Sequence, residues 1–346
     1  GAGMRPLTPR RILGICGLLG AVLFVVVVIS LRTGQYPIGV VDIVKTLFRG
    51  AIGQRDQVPS EFWSVVFSVR LPRIALGILV GAALSVAGAG FQALLRNPLA
   101  DPYVLGVSSG AALGAILSLL AAPQVAGAIQ LAAFIGAAAA IAAVYFLGRR
   151  GGQLDTATLL LAGIVAASFL SAIIVFLMTT LPGRDLRGMA FWLMGDLTTL
   201  PPTNDTGKWF LFLFVIFFVA AGAMYTAATD LNLILSGEQE ARHLGVNVRR
   251  VKLVVYLSAS VLTGLAVSVS GAIGYVGLLV PHAMRMIFGT DYRLLLPTSA
   301  IGGAIAIVLA DTLARTVMAP TELPVGAVTA LAGAPVFIYL MRRRVR

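Results

Sequence analysis

The chain has 346 residues, 58% of them hydrophobic and 12% charged, with a mean hydropathy of +0.94 and a formal net charge of +12. Soluble domains carry about 25% charged residues, so this composition argues against a soluble enzyme or a nucleic-acid-binding module. The basic excess reads instead as membrane topology and contact with anionic lipid, and a single cysteine, Cys16, leaves no internal disulfide.

Gly1-Ala2-Gly3 ahead of Met4 reads as an expression scar, leaving 4–346 as one membrane domain. The first apolar run, 12–31, is too long for a signal-peptide core and lacks a convincing cleavage site, so it is expected to stay as a span. Further runs fall at 74–95, 103–122, 125–148, 157–181, 209–228, 251–271, 272–288, 294–317 and 324–341. About 20 apolar residues cross a bilayer, which predicts an all-α polytopic protein of about ten spans. Hydropathy is continuous through Val269–Gly277, and only Gly271 and Gly274 divide the seventh run from the eighth.

The second and third runs are rich in Gly, Ala and Ser, which let helix backbones approach closely inside a bilayer. Between them lies one polar turn, Arg96-Asn97-Pro98-Leu99-Ala100-Asp101-Pro102, whose prolines stop one helix and start the next. With the N-terminus inside, the cytoplasmic segments hold 16 of the 26 Lys and Arg but only six of the 14 acids, so both termini are expected in the cytoplasm. Gly81–Ala89 (GAALSVAGA) and Gly264–Ala272 (GLAVSVSGA) match at six of nine positions, five spans apart. An offset of five spans, an odd number, inverts the orientation, as in the inverted repeats of five-helix halves that let transporters open alternately to either side.

Three polar regions are candidates for function. The cytoplasmic loop 230–252 is the longest polar interruption. Ser236 is expected to cap a short helix that carries Glu238 and Glu240 in its first turn and stops at Gly245. Such an element is either a docking surface for a soluble partner or an ordinary solvated loop. At the outer boundary, Arg70 and Arg73 begin the second span and Arg315 ends the ninth, where snorkelling to headgroups is the plain explanation. Leu181–Pro202 lies outside and carries Arg184, Arg187, Trp192 and Asp196. Arg187 stands four residues before Phe191-Trp192, so all three are expected on one helix face. The alternative is that Arg187 pairs with Asp185 or Asp196 and only shapes the loop.

Other chemistry is poorly supported. His243 and His282, without cysteines or paired acids nearby, do not make a metal site. Every acid lies near a span end, and Asp311 alone resembles the membrane carboxylate that an ion-driven carrier would use as a relay. No G-x-x-x-x-G-K-[ST] loop is present, so any ATP, with its Mg, belongs to another polypeptide, and no cofactor is expected on this chain.

Leu71-Pro72-Arg73 with LVGAALSVAG, then RNPLADPYVLGVSSGA, GEQEARHLGV, GAIGYVGLLVPHAMR and ELPVGAVTALAGAPVF, together resemble the FecCD-type permeases, the membrane subunits of ABC importers for iron-siderophores, haem and cobalamin. The resemblance runs from about residue 60 to the end, with the motifs in order. It implies the type II ABC importer permease fold, a homodimer with the pathway on its two-fold axis, two cytoplasmic ATPase subunits and a periplasmic binding protein. It further implies that Glu238, Glu240, Ala241, Arg242, Leu244, Gly245 and Val246 couple to the ATPase. Arg70, Arg73 and Arg315 would meet glutamates of the binding protein, for which the planar guanidinium fork is suited. Glu322 is expected to fix local structure. Thr156 and Ala157, opening the fifth span, become gate candidates, and Arg187 with Trp192 lies beside the outer pathway. Haem is the favoured cargo, because Arg184 and Arg187 suit propionates, with ferric siderophore and cobalamin as alternatives.

Overall fold

The computed structural model describes residues 8–34, 36, 38–122, 125, 127–150, 153–179, 183–198 and 206–344, so the Gly1–Gly3 scar lies outside the described residues. In chain order it contains α1 (Pro9–Arg32), α2 (Val40–Ala51), a 3-10 turn (Arg55–Gln57), α3 (Ser60–Trp63), a π turn (Ser64–Arg70) and α4 (Leu71–Leu94). A second 3-10 turn (Pro102–Leu105) leads to α5 (Val107–Ala121) and α6 (Ala128–Leu147). The two-residue strands β1 (Arg149–Arg150) and β2 (Gln153–Leu154) pair antiparallel before α7 (Thr156–Met178) and α8 (Gly183–Leu193). Then come α9 (Thr206–Thr226), α10 (Ala228–Ser236), α11 (Glu238–His243), α12 (Val248–Ser270), α13 (Val276–Phe288), α14 (Tyr292–Thr316) and α15 (Val325–Arg344).

Seven helices are long and apolar enough to span a membrane, and three shorter apolar ones, Val107–Ala121, Val276–Phe288 and Val325–Tyr339, fall on the remaining predicted runs. The protein is therefore an all-helical, multi-pass membrane protein. Its spans sort by burial. α4 is the central helix, with 89% of its most apolar stretch buried, and α12 follows at 78%, whereas α1 has 6%. Composition explains the order. A Cβ on Gly81 would collide with the carbonyl of Gly303, and one on Gly88 with that of Gly277, so glycine is what lets α4 lie against α14 and α13. The outer helices instead expose Phe24, Leu131, Phe169 and Phe218, as suits surfaces solvated by lipid.

The break between the seventh and eighth runs is present. α12 ends at Ser270, Gly271 adopts φ +66°, and α13 starts after Tyr275 at φ +68°. The Tyr103 hydroxyl holds the break, donating to the Ile273 carbonyl and accepting from its N–H, both at 3.1 Å. Backbone freed from a helix inside a membrane needs such partners. The second span differs from expectation. Helix is continuous over Ser60–Leu94, 35 residues, with the π turn closing at Arg70. Hydropathy sees only its apolar part. The amphipathic α2, which buries Ile43 and Thr46, also escaped a reading based on apolar runs.

Candidate functional site

The polar loop between α9 and α12 folds as two short helices. α10 runs to Ser236 and α11 begins at Glu238, so Gly237, not Ser236, occupies the N-cap position. The Ser236 hydroxyl donates back to the Asn232 carbonyl at 3.2 Å and is unavailable as a cap. The acids do lie in the first turn of α11, as expected. The end of α11 is sharp for a readable reason. Gly245 at φ +87° lets its N–H reach the Arg242 carbonyl while the Val246 N–H reaches Ala241, both at 3.0 Å. Ala241 is fully buried and anchors the helix inward. Glu240, Arg242, His243 and Leu244 are exposed, Leu244 by 68%, a large apolar side chain presented from a polar helix.

This helix pair is tied to the spans at two places. Asn232 on α10 donates to Asp291 Oδ1 at 2.8 Å and accepts from the Tyr292 N–H at 3.0 Å, joining it to the start of α14. Hydrogen bonding from Arg293, against partial desolvation, holds the Asp291 carboxyl below its ordinary range. Arg285 on α13 donates to Gln92 Oε1 at 3.1 Å and to the Tyr292 hydroxyl at 3.2 Å, extending the network to α4. At the second place, Glu238 receives Lys252 Nζ at 2.7 Å and Arg96 Nη2 at 3.2 Å. Desolvation pushes Glu238 up, but Lys252, Arg96 and Arg242 outweigh it and its pKa falls. Arg96 stood out only as part of the polar turn after the second run, and neither Asn232 nor Lys252 stood out at all. Their only signal was the presence of polar residues beside apolar runs.

The arginines expected at the outer boundary differ from expectation in their exposure. Arg70, Arg73 and Arg315 are 3%, 5% and 5% exposed, so they form no free cationic patch. Arg73 donates from Nε to Asp311 Oδ1 at 2.7 Å and from Nη1 to Glu322 Oε2 at 2.8 Å. Arg315 Nε pairs with Asp311 Oδ2 at 3.1 Å, and Nη2 donates to the Ser30 hydroxyl at 2.8 Å. Arg70 Nη1 donates to the Leu31 carbonyl at 2.5 Å, and Nη2 to that of Tyr36. Burial makes partners obligatory, and α1, α14 and the segments that follow them supply them. Glu322 does fix local structure, with its side chain 38% exposed at the outer edge of the cluster.

Thr156 opens α7, and the Asp155 carboxylate caps it by accepting from the Thr158 N–H at 2.9 Å. Thr156 is half-buried and Ala157 exposed on the isolated chain. Gly183–Leu193 is the expected outer helix, but the side chains of Arg184 and Arg187 lie outside the described residues. Trp192 is 6% exposed and packs against Gly271, while Phe191 is 41% exposed. Phe191 and Trp192 therefore do not share a face, since consecutive helical residues point about 100° apart. The Asp196 carboxylate accepts from the Thr198 N–H at 2.8 Å and hydroxyl at 2.6 Å.

A model of the FecCD transport family matches residues 22–343. The chain belongs to that family. It is 44% identical over 289 residues to the cobalamin import system permease protein BtuC of Halobacterium salinarum, covering 83% of this chain and 76% of the relative. It is 38% identical over 335 residues to the hemin transport system permease protein HmuU of Yersinia pestis, covering 94% and 96%. A solved metal-chelate type ABC transporter in an inward-facing conformation superposes with a TM-score of 0.79 at 31% identity, covering 96% of this chain and 99% of that one. The fold is that of an ABC importer permease.

Proposed function

We propose that this FecCD-family permease is the non-catalytic membrane subunit of an ATP-driven importer that moves a metal chelate into the cytoplasm by alternating access. It works as a homodimer with two ATPase subunits and a periplasmic binding protein, in the bacterial inner membrane with both termini in the cytoplasm. The observation that carries the reading is α11, a short helix with a stopped end that presents Leu244 to the cytoplasm from a buried anchor at Ala241. A rigid element transmits displacement where a loose loop would absorb it. Leu244→Asp places a charge on that contact face, and we expect co-purification with the ATPase subunit, and uptake, to be lost while the membrane fold is kept. Normal association would sink the assignment.

An ion-coupled carrier is disfavoured by Asp311, whose two oxygens are each held by an arginine, leaving no free relay carboxylate. For the cargo, haem is our first reading. It is supported by the near full-length likeness to the hemin permease and by Arg184 and Arg187 in α8. Cobalamin is the second, supported by the 44% identity to the cobalamin permease. Uptake of haem, ferric siderophore and cobalamin by vesicles holding the complete transporter separates them. In the same assay, Arg187→Lys should keep haem uptake if only charge matters and lose it if a bidentate grip does. Wild-type uptake by both Arg187→Ala and Arg187→Lys would remove Arg187 from the pathway.

Binding-protein docking through Arg70, Arg73 and Arg315 requires the partner's glutamates to replace internal acceptors. We therefore expect Arg32 and Arg55, which are exposed, to contribute to first contact on that face. Reversing Arg32 and Arg55 to Glu should weaken association most at low salt, because exposed charges are screened over about 10 Å at 0.1 M.

A further inference from the structure

Arg96 follows α4 with φ +49°, a left-handed conformation that costs an L-residue about 1–2 kcal/mol and that glycine adopts freely. What an arginine gains there is visible in its contacts. Nη2 donates to the Ile234 carbonyl at 3.0 Å, in the last turn of α10, where carbonyls lack helical partners. The same nitrogen stands 3.2 Å from Glu238 Oε1, in the first turn of α11. The guanidinium thus bridges the joint between the two helices. From the other side, Lys252 in α12 reaches the same Oε1 at 2.7 Å. One carboxylate oxygen therefore takes a cation from each of the two most buried spans, α4 and α12. These pairs are partly exposed, with side-chain exposures of 48%, 28% and 19% for Arg96, Glu238 and Lys252. Such pairs add little stability, so stabilisation does not account for a strained arginine at this place.

We propose that Glu238 is a shared anchor that fixes the α10–α11 pair to α4 and α12 together, with Arg96 and Lys252 as the positioning residues that pass its displacement to both central spans. The inference rests on the coupling role assigned above to α11. It requires α11 and the cytoplasmic end of α4 to move as one body when the ATPase works. The test uses the full transporter in lipid nanodiscs, assembled from one labelled and one unlabelled permease so that a single label pair is present, in a Cys16→Ser background with spin labels at Gln239→Cys and Leu99→Cys, both exposed positions. We expect one narrow inter-label distance, the same with and without ATP. Arg96→Ala with Lys252→Ala should lose the single narrow distance while the ATPase subunit stays bound. Inverting all three charges, with Arg96→Glu, Glu238→Arg and Lys252→Glu, should restore it, which a purely local fold defect would not allow. A distance that shifts with ATP in the otherwise unaltered protein overturns the proposal, as does an unchanged distance in the double variant. If Leu244→Asp leaves ATPase association intact, the coupling role itself fails, whichever way the distances behave.

Discussion

Two polar clusters sit at opposite ends of α4 and are built from the same chemistry, yet burial gives them different weights. At the outer end, Asp311 is 2% exposed and lies between Arg73 and Arg315, with Ser30 and Glu322 completing the set. At the inner end, Glu238 lies between Arg96 and Lys252 with water in reach. A buried carboxylate stripped of partners is costly, so the outer cluster locks α1, α4 and α14 into one unit. The half-exposed cluster adds little to stability, so what it contributes is position, holding α10 and α11 in register with α4 and α12. Charge pairing by itself says nothing about stability. Depth decides it.

The sharpest way to break this contrast is at Asp311. Asp311→Ala leaves two guanidiniums buried without their carboxylate, and we expect a loss of about 3–5 kcal/mol, read as a lower unfolding midpoint in detergent. If Asp311→Ala melts like the parent, the outer cluster is not a lock. Next in size is the packing that holds the central helix. Gly88→Val sets methyl groups against the Gly277 carbonyl, and overpacking of this kind costs about 1–3 kcal/mol. Gly274→Ala serves as its control, since nothing lies within 4 Å of a Cβ there. Equal effects at the two sites would show that close approach along α4 is not what glycine provides.

The smallest effect is expected at Glu238. Glu238→Gln should change the unfolding midpoint by less than about 1 kcal/mol in equivalent terms, several-fold below the Asp311 lesion, while disturbing the joint. The pH dependence sharpens the point. The Glu238 pKa is lowered from 4.5, so its contribution is full above that value and fades only as pH falls through the lowered one. Transport should therefore show no titration of Glu238 between neutral pH and 4.5. An uptake step with an apparent pKa near neutrality that disappears in Glu238→Gln would contradict the assigned ionisation.

The spans were readable because a bilayer imposes a length and a polarity on each one independently, so all ten predicted runs have a matching apolar helix. The stop of α11 was readable for a related reason, since Gly245 acts within a single turn. Capping at Ser236 misled, because the serine had a second option in the last turn of α10 and took it. Arg70, Arg73 and Arg315 misled differently. Their place near span ends was visible, but whether a long side chain turns outward or inward depends on what neighbouring helices offer. Here Ser30, Asp311 and Glu322 are separated from them along the chain, apart from Asp311 and Arg315, and nothing local announces the pairing.

By itself, then, the sequence determined the membrane, the number of spans and the short exposed helix, since each depends on composition or on a few consecutive residues. Only the tertiary structure decided which helix is central, which cations are buried, and that Arg96 and Lys252 meet on one oxygen of Glu238. Those outcomes depend on segments far apart in the chain being brought within about 3 Å, and hydrogen-bond reach is too short for any pattern in one segment to specify its partner in another.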